Sequence, residues 1–542
     1  MASASGARPV LTETIPAAVA ASIAAAPEVE AVVEAQRRVS YRELGERVGT
    51  ATRAMLALGV APGDRVAIWA PNGLGWIVAA LAAQSAGAAI VPINTRFKGE
   101  EANHVLSASR AALLVTTVGF LDTDPVGMLR ASAAPLPQLR RIMLLEGSAR
   151  VEKAPGHADV EHWDRFIARS AEIPAAAASA RRDAVRPSDT SDILFTSGTT
   201  GRPKGVVMSH GQTVRQFRAW CEFAGLRPGD RYLIVNPFFH MFGYKAGWLA
   251  GLLRGATLVP VPVFDVPHVL SLAERERITV LPGPPTLYRS ILDHPERRAF
   301  DLSTLRVAVT GAADIPVELI QEMRAELPFE RVLTGYGLTE AGTCTGSRPD
   351  DDAETIATTA GRAMEELEVI VADEKGQEVE RGATGELLVR GYSVMQGYLD
   401  DPAASAAAID ERGFLRTGDL ATMDERGYVR IVGRSKDMLI VGGFNVYPAE
   451  VENALLAHDA IGQVAVIGVP DARLGEVTVA YVVPAPGRVL EPAALISWAR
   501  ERLANYKVPR RVVVVAELPT NATGKVVKDE LREREKRAGG QR

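Results

Sequence analysis

Residues 192–205 read Asp192-Ile193-Leu194-Phe195-Thr196-Ser197-Gly198-Thr199-Thr200-Gly201-Arg202-Pro203-Lys204-Gly205. The apolar run that begins this stretch predicts a short buried strand, and the segment rich in glycine and hydroxyl groups predicts a loop directly after it. Glycines let backbone amides approach an anion closely, while four hydroxyls and Lys204 add donors and positive charge. The loop differs from a Walker A motif, because Pro203 precedes the lysine and Gly205 follows it. We therefore expect a phosphate-binding loop, with a plain flexible turn as the alternative.

Short apolar runs alternate with helix-like segments on both sides of this loop. Such alternation is typical of α/β layers with largely parallel sheets. The alanine-rich, charged stretch 148–187 lacks this pattern, and we expect it to be a surface excursion. Besides 192–195, the predicted strands are Val66–Trp69, Ala88–Pro92, Leu113–Thr116, Arg141–Leu144, Tyr232–Val235, Thr257–Val259 and Arg306–Thr310.

The end of the chain follows a different pattern. Helices are predicted at Pro448–Ala457 and Glu491–Ala504, and strands at 463–469, 477–483 and 511–515. This order predicts a small α+β unit. We expect a large domain at 1–433, a hinge at 434–437, and a small mobile domain at 438–542.

Composition excludes several classes of protein. The 542 residues predict about two to four domains. A net charge of −5 without long Lys or Arg runs argues against nucleic acid as a partner. The two cysteines and eight scattered histidines provide neither a disulfide framework nor zinc-ligand spacing. So few cysteines suit a reducing compartment, and we expect a cytoplasmic protein.

One uncharged segment, between Arg65 and Arg96, is long enough to span a bilayer. Its prolines and its alanine-rich composition favour a strand, a buried helix at about Trp76–Ala86, and a second strand instead. Residues 15–27 lack the basic start of a signal peptide. We therefore expect no transmembrane segment.

Further motifs follow the loop in a fixed order. They are Asn236-Pro237-Phe238-Phe239-His240-Met241-Phe242-Gly243, Thr310-Gly311-Ala312-Ala313, Gly335-Tyr336-Gly337-Leu338-Thr339-Glu340, Thr417-Gly418-Asp419, Gly433-Arg434-Ser435-Lys436-Asp437 and Pro519-Thr520-Asn521-Ala522-Thr523-Gly524-Lys525. With the loop, they resemble the adenylate-forming superfamily of acyl- and aryl-CoA ligases, peptide-synthetase adenylation domains and firefly luciferase. The resemblance extends from about Thr14 to Lys528. It implies an acid–CoA ligase that uses ATP, Mg²⁺ and coenzyme A on a small carboxylic acid.

The resemblance assigns a nucleotide site to these motifs. The loop would hold the phosphates, the turn after the strand at 306–310 would meet adenine, and a tyrosine would stack on its ring. A carboxylate and an arginine would reach the ribose. The implied residues are Thr196, Ser197, Gly198, Thr199, Thr200, Gly201, Lys204, Gly311, Ala312, Ala313, Tyr336, Gly337, Asp419 and Arg434.

Four residues are implied in catalysis. Lys525 would neutralise the charge that develops at the α-phosphate when the carboxylate attacks ATP. Glu340 would bind Mg²⁺, and Thr339 would contact the α-phosphate. His240 would position the substrate carboxylate. Taken alone, Lys525 also fits an exposed lysine, and His240 a packed core histidine.

The second half-reaction is implied by resemblance only. Lys436 matches the family's hinge position, about which the small domain rotates. Gly442 and Gly443 would then line the path of the CoA thiol, because glycines leave room for a narrow channel. Lys525 would leave the site in this rotation.

The substrate acid is the least determined feature. We expect Phe242, Tyr244 and Lys245 in the acyl pocket, with Lys245 hydrogen-bonded to a keto or second acidic group; a surface lysine is the alternative. Residues 238–245 look similar to actinobacterial ligases, of HIP type, that activate the ring-fused keto acid left by steroid breakdown. A medium-chain or fatty acid is the other candidate.

Other functions remain open on the sequence. A free-standing adenylation enzyme would load a carrier protein instead of CoA, and a luciferase-like monooxygenase is a further possibility. A non-catalytic nucleotide-binding regulator is disfavoured, since Lys525, Glu340 and Asp419 occur together. The altered loop pattern disfavours a P-loop kinase.

Overall fold

The computed structural model describes residues 13–132, 135–146, 158–196, 203–311, 315–434, 437–441, 444–471, 474–503, 505–521 and 525–539. The described strands form five sheets. They are β1 (Glu30–Glu34), β2 (Arg37–Ser40), β3 (Arg65–Trp69), β4 (Ala89–Pro92), β5 (Leu113–Thr117), β6 (Arg141–Glu146), β7 (Asp159–His162), β8 (Thr190–Thr196), β9 (Lys204–Ser209), β10 (Arg231–Ile234), β11 (Thr257–Pro260), β12 (Val307–Gly311), β13 (Arg331–Leu338), β14 (Gly342–Gly346), β15 (Arg362–Ala363), β16 (Glu368–Ala372), β17 (Gly385–Arg390), β18 (Gly397–Tyr398), β19 (Leu415–Met423), β20 (Val429–Arg434), β21 (Leu439–Val441), β22 (Phe444–Val446), β23 (Ile461–Asp471), β24 (Gly475–Pro484) and β25 (Arg511–Val514).

Helices cover the faces of these sheets. A π-helix, Phe242–Leu249, follows the histidine motif. The α-helices are α1 (Ile15–Ala25), α2 (Tyr41–Ala57), α3 (Leu74–Ser85), α4 (Gly99–Ser109), α5 (Pro125–Ala131), α6 (Trp163–Ala168), α7 (Ala175–Asp183), α8 (His210–Ala224), α9 (Ala250–Arg254), α10 (Val266–Arg275), α11 (Pro285–Leu292), α12 (Val317–Glu326), α13 (Ala353–Thr358), α14 (Pro402–Ala408), α15 (Pro448–Leu456), α16 (Pro492–Arg500) and α17 (Lys528–Gly539). Short 3-10 turns lie at 120–122, 169–172 and 297–299.

The largest sheet has eight strands in the order β18-β9-β8-β4-β3-β5-β6-β7. Its pairs from β8 to β7 are parallel, whereas β8 and β9 form an antiparallel pair with Thr196 opposite Lys204. A second sheet pairs β12 with β13 in parallel. The expected α/β class with parallel-rich sheets is confirmed. The strands predicted before residue 311 are all present, with ends shifted by one or two residues.

The uncharged segment after Arg65 forms β3, α3 and β4. Helix α3 is enclosed by protein, and its side chains are buried around almost its whole circumference. In the described part of the chain, no helix is both long and apolar enough to cross a membrane.

The stretch expected to be a surface excursion contributes to the sheet instead. Residues 159–162 add β7 to its edge, in parallel with β6. Glu161 on this strand is buried and pairs with Arg169 at 3.0 Å. The alternation of polar and apolar residues in β7 is too short to be recognised in the sequence.

Local signals explain how α8 is placed behind the phosphate-loop hairpin. Ser209, at the end of β9, accepts from the backbone of Gln212, and the Gln212 side chain accepts from the Ser209 backbone in return. This capping box satisfies orphan amides of the first turn. The helix ends at Gly225, where φ is +64°. Glycine adopts this left-handed conformation without strain.

The fifth sheet uses only strands after residue 438, in the order β22-β21-β24-β23, with β25 paired in parallel to β24. Helices α15 and α16 pack on it around a separate core that includes Val451, Leu455 and Leu495. This small α+β unit follows the large layered part, as expected. The domain boundaries at 433 and 437 stay a prediction.

Candidate active site

The β8–β9 hairpin brings Lys204 beside Tyr398, which in turn contacts Glu340. Residues 197–202, which include the predicted Ser197, Gly198, Thr199, Thr200 and Gly201, lie outside the described residues. The Lys204 ammonium is 5.1 Å from the ring centre of Tyr398. The Tyr398 hydroxyl donates to Oε1 of Glu340 at 3.0 Å. The loop lysine and the predicted magnesium ligand thus share one contact residue.

Tyr398 was not predicted from the sequence. It reaches the site because β18 pairs with β9, so that Tyr398 lies opposite Val206. Backbone bonds reinforce this placement: the amide of Leu399 donates to the carbonyl of Gly205, and the amide of Met395 to that of Glu340, both at 2.7 Å. A tyrosine so far along the chain gives no local signal of this pairing.

The residues predicted to border adenine lie where β12 and β13 end. Gly311 pairs with Gly335, and a Cβ added at Gly311 would lie 2.9 Å from the Gly335 carbonyl oxygen. A Cβ at Gly337 would lie 2.3 Å from the carbonyl oxygen of Gly342. The ends of these two strands therefore leave no room for a side chain at Gly311 or Gly337. Ala312 and Ala313 lie outside the described residues.

Tyr336, Asp419 and Arg434 are brought together by two sheets. The Tyr336 hydroxyl donates to Oδ2 of Asp419 at 2.5 Å. Asp419 is buried and lies opposite Arg434 in the β19–β20 pair. Burial, and then the charge of Asp419, raise the pKa of Tyr336 well above its usual value. The phenol therefore stays protonated and donates to the carboxylate.

The histidine predicted at the acyl site lies just before the π-helix. Its Nδ1 accepts from the backbone amide of Phe242 at 3.2 Å, which assigns the ring proton of the neutral form to Nε2. Burial, and then the positive charge of Lys525, lower the pKa of His240 to about 4. The imidazole is thus neutral at pH 7. The neutral ring can donate a hydrogen bond from Nε2 to a carboxylate, but it carries no positive charge.

The positive charge of Lys525 acts on His240, so the C-terminal unit brings this lysine near the histidine. Two hydrogen bonds join Lys525 to Asn521: the Lys525 amide donates to Oδ1 of Asn521 at 2.9 Å, and the Lys525 carbonyl accepts from the Asn521 amide at 2.8 Å. Residues 522–524 lie outside the described part of the chain. Lys525 itself is exposed.

The segment leading to His240 is held by Asn72, which the sequence analysis did not single out. Its side-chain amide donates to the carbonyls of Asn236 and Val261 at 2.9 and 3.0 Å, and its oxygen accepts from the amide of Phe238 at 2.7 Å. Three hydrogen bonds from one buried side chain fix the backbone just before the histidine.

Two of the three residues expected in the acyl pocket lie in the core. Tyr244 is fully buried, its hydroxyl accepts from Gln84 at 2.8 Å, and its ring stacks on Trp248 at 5.1 Å. The Lys245 ammonium, 1% exposed, lies 2.8 Å from Oδ1 of Asp192. This differs from the expectation that Lys245 meets a substrate keto group, because Asp192 already balances its charge. Phe242 is partly buried and packs against the same core.

Other predicted residues have simpler outcomes. Thr339 lies in the turn after β13, between Leu338 and Glu340. Thr196 ends β8. Only the backbone of Arg434 is described, and Lys436, Gly442 and Gly443 lie outside the described residues.

The sequence matches two family models, AMP-binding enzyme over residues 19–399 and AMP-binding enzyme C-terminal domain over residues 450–525. The chain belongs to the AMP-binding enzyme family. It is 50% identical, over 94% of this chain and 96% of the relative, to a 3-[(3aS,4S,7aS)-7a-methyl-1,5-dioxo-octahydro-1H-inden-4-yl]propanoyl:CoA ligase from Rhodococcus jostii. A ligase of the same name from Mycobacterium tuberculosis is 51% identical over 96% of this chain and 98% of its own.

Solved structures of AMP-binding enzymes share the fold. ATP-bound MatB from Rhodopseudomonas palustris matches with a TM-score of 0.83 and 30% identity, covering 96% of this chain and 99% of its own. The anthranilate CoA ligase AuaEII with anthranoyl-AMP matches with a TM-score of 0.85 and 27% identity, covering 98% and 99%. The chain is an AMP-forming acid–CoA ligase. It converts a carboxylate and ATP into acyl-AMP and pyrophosphate, then transfers the acyl group to CoA and releases AMP.

Proposed function

We propose that this ligase activates a bicyclic keto acid of the type named in its Rhodococcus and Mycobacterium relatives, a methyl-dioxo-octahydroindenyl propanoate. The observation that carries the proposal is the identity of 50% and 51% to those two ligases over almost the full length of both chains. Relatives named for another acid are more distant; feruloyl-CoA synthase from Amycolatopsis is 36% identical over 94% of this chain.

In this proposal, the acid enters beside His240 and the π-helix. The neutral imidazole orients the carboxylate without protonating it, which keeps the carboxylate nucleophilic. Phe242 contributes an apolar wall to the ring system. Lys245 and Tyr244 take no part in binding the keto groups, because both are already paired within the core.

ATP would bind across the two sheet ends described above. Thr196, Lys204 and the loop between them hold the phosphates, Gly311, Tyr336 and Gly337 bound the adenine, and Asp419 with Arg434 meets the ribose. The protonated Tyr336 keeps the Asp419 carboxylate oriented. Thr339, next to Glu340, contacts the α-phosphate. Preorganised donors of this kind do not have to reorganise during the reaction.

Lys525 is the proposed catalytic lysine of the first half-reaction. The positive charge of Lys525 contributes to the lowered pKa of His240, which supports a position of the ammonium near the point where the carboxylate and the α-phosphate would meet. A compact ammonium there offsets the charge that builds up as the two anions approach. The acid oxygen forms its bond to the α-phosphorus, and pyrophosphate leaves.

Glu340 is the proposed protein ligand for Mg²⁺. Among the described residues, no cluster of three or more His, Cys, Asp or Glu side chains could hold a metal ion. One carboxylate together with nucleotide phosphates is a common way to bind Mg²⁺, so the residues present fit it. The ion would neutralise charge on the departing pyrophosphate.

For the second half-reaction, we propose that the unit after residue 437 rotates about Lys436. Lys525 would then withdraw, and Gly442 with Gly443 would line the path of the CoA thiol. The separate core of this unit supports its movement as a single body.

The test is a substrate panel with ATP, Mg²⁺ and CoA, in which thioester is detected by mass spectrometry and AMP release is measured. The panel contains the dioxo-octahydroindenyl propanoate, octanoate and ferulate. We expect the bicyclic keto acid to have the highest kcat/KM. An equal or higher kcat/KM for octanoate or ferulate would refute the substrate assignment and leave the ligase activity intact. Acyl-AMP without thioester would indicate a carrier protein as the acceptor.

Lys525→Ala tests the catalytic assignment in the same assay. We expect acyl-AMP formation to fall roughly 10²–10³-fold, as for the loss of other transition-state charge donors. Lys536→Ala is the matched control, because Lys536 is 71% exposed on α17 and pairs with Glu533 in its own helix.

A further inference from the structure

A buried polar cluster lies behind the active site, made of Ser191, Asp192, Thr213 and Lys245. All four side chains are at most 1% exposed. The Lys245 ammonium lies 2.8 Å from Oδ1 of Asp192, as an ion pair rather than a well-aligned hydrogen bond, and donates to the Thr213 hydroxyl at 3.3 Å. Ser191 donates to Oδ2 of Asp192 at 2.6 Å. Oδ2 of the buried carboxylate therefore accepts a hydrogen bond, whereas Oδ1 is balanced by the charge of the ammonium.

Such a pair is an expensive way to stabilise a core. Removing two charges from water costs about as much as their attraction returns, and apolar replacements of similar volume are often neutral or stabilising. Burial lowers the pKa of Lys245, and the charge of Asp192 opposes that shift. Stability alone therefore does not explain why a lysine and an aspartate meet at this position.

The cluster joins the segments that flank the site. Asp192 is on β8, four residues before Thr196, where the phosphate loop begins. Thr213 is in the first turn of α8, which follows the loop's second strand, β9. Lys245 is on the π-helix, five residues after His240. A second connection runs beside the first, since Gln84 donates both to the Tyr244 hydroxyl and to the Ser191 carbonyl.

The π-helix Phe242–Leu249 is an unusual element to find beside His240. Its backbone hydrogen bonds run from residue i to i+5, such turns are rare, and they often occur at functional sites. Gly243 brings it against the preceding segment, where an added Cβ would lie 2.2 Å from the Pro237 carbonyl oxygen. The ion pair fixes the other side of the helix to the phosphate-loop strand.

We propose that Lys245 is a positioning residue for the adenylation half-reaction, in which its ion pair with Asp192 fixes the distance between the His240 segment and β8, the strand that leads to Thr196. The distance between the bound carboxylate and the α-phosphate follows from it. The proposal rests on the proposed roles of His240 and the loop. It does not depend on which acid is the substrate, because it concerns the reacting ends only.

The main test is the double variant Asp192→Asn/Lys245→Met, which removes both charges and keeps similar volume. Acyl-AMP formation is followed by pyrophosphate exchange, using the panel acid that the wild-type enzyme adenylates fastest. We expect kcat for this step to fall roughly 10–100-fold, as misplacement of reacting groups by about 1 Å does. The KM values for ATP and for the acid should change less than about threefold, because binding does not depend on this distance. The rate of acyl transfer from supplied acyl-AMP to CoA should change less than about twofold, because thioester formation does not depend on it either.

If the ion pair has a purely structural role, a double variant that folds with the wild-type thermal midpoint should also form acyl-AMP at the wild-type rate. That result would overturn the proposal. The single variant Asp192→Asn is measured in parallel, because it keeps the shape of the side chain. If none of these variants folds, the pair supports the fold and not the reaction geometry, and the proposal is equally overturned.

Glu161→Gln/Arg169→Met is the matched control. This pair also joins a buried acid to an arginine, at 3.0 Å, but it lies at the far edge of the same eight-stranded sheet, on β7. We expect its kcat for acyl-AMP formation to equal that of the wild type. If the wild-type enzyme does not adenylate the bicyclic acid but does adenylate another acid, only the substrate assignment is refuted. The Lys245 variants are then compared with the wild type on that other acid.

Discussion

Replacing Tyr336 with phenylalanine removes one hydroxyl and leaves the ring in place. That hydroxyl donates to Oδ2 of Asp419 at 2.5 Å, and Asp419 is only 5% exposed. In the proposed nucleotide site the ring borders adenine and the carboxylate receives the ribose hydroxyls. The variant therefore separates the orientation of Asp419 from the stacking surface.

The size of the effect follows from the charge on the acceptor. A hydrogen bond to a charged group contributes about 1.5–3 kcal/mol. At about 1.4 kcal/mol for each factor of ten, this corresponds to roughly 10–150-fold in affinity. We expect the lower end of that range, because the β19–β20 pairing opposite Arg434 still holds the Asp419 backbone. KM for ATP should rise about tenfold, with kcat for acyl-AMP formation changed much less.

The assay is the ATP dependence of acyl-AMP formation, together with ATP binding by calorimetry and the thermal midpoint without ATP. Tyr428→Phe is the matched control, since Tyr428 makes the same kind of bond to Asp351. We expect the control to leave ATP affinity unchanged. If Tyr336→Phe loses thermal stability but binds ATP as the wild type does, the hydroxyl is structural and the ribose assignment of Asp419 loses its support.

Three other perturbations test separate parts of the molecule. Lys525→Ala should leave thioester formation from supplied acyl-AMP nearly intact while acyl-AMP formation collapses, and equal losses in both steps would contradict its assignment to the first. Burial lowers the pKa of His210 to about 4 in the folded state. The unfolded chain therefore binds more protons than the folded chain between about pH 6.5 and 4. The free energy of unfolding should fall as pH falls through that window, by up to about 3 kcal/mol for this group. Urea unfolding at several pH values checks this, and His210→Asn should flatten the dependence. Gly243→Ala should lower the free energy of unfolding by about 1–3 kcal/mol through overpacking, because its Cβ would meet the Pro237 carbonyl. Gly49 lies in a helix, and a Cβ added there would have nothing within 4 Å, so Gly49→Ala should be neutral or stabilising in a thermal unfolding assay of both variants.

Strands were the most predictable part of the structure. The strand Leu113–Thr117 opens with three apolar residues and is buried along its whole length, as parallel strands covered on both faces are. The edge strand β7 was not predicted, because a strand at the edge of a sheet does not need a continuous run of apolar residues. The small C-terminal unit was predictable for the same reason, since β23 and β24 carry long apolar stretches.

Contacts between distant segments were not predictable from local pattern. Lys245 and Asp192 are joined across two elements, and no periodicity encodes their meeting. One signal was available: Asp192 opens an apolar run, and a carboxylate in a buried strand requires a partner. Tyr398 gave no comparable signal, because its place beside Lys204 and Glu340 depends on the pairing of β18 with β9.

The asparagine that holds the segment before His240 has a chemical vulnerability. Asn72 precedes Gly73, and an asparagine followed by glycine is the one whose side chain most readily cyclises to a succinimide and deamidates. An aspartate there could accept but no longer donate to the carbonyls of Asn236 and Val261, and its charge would face their oxygens. The bonds that hold the segment also slow this ageing reaction, because the amide must leave them before it can cyclise. The chemical lifetime of Asn72 is therefore coupled to the rigidity of the segment that precedes His240.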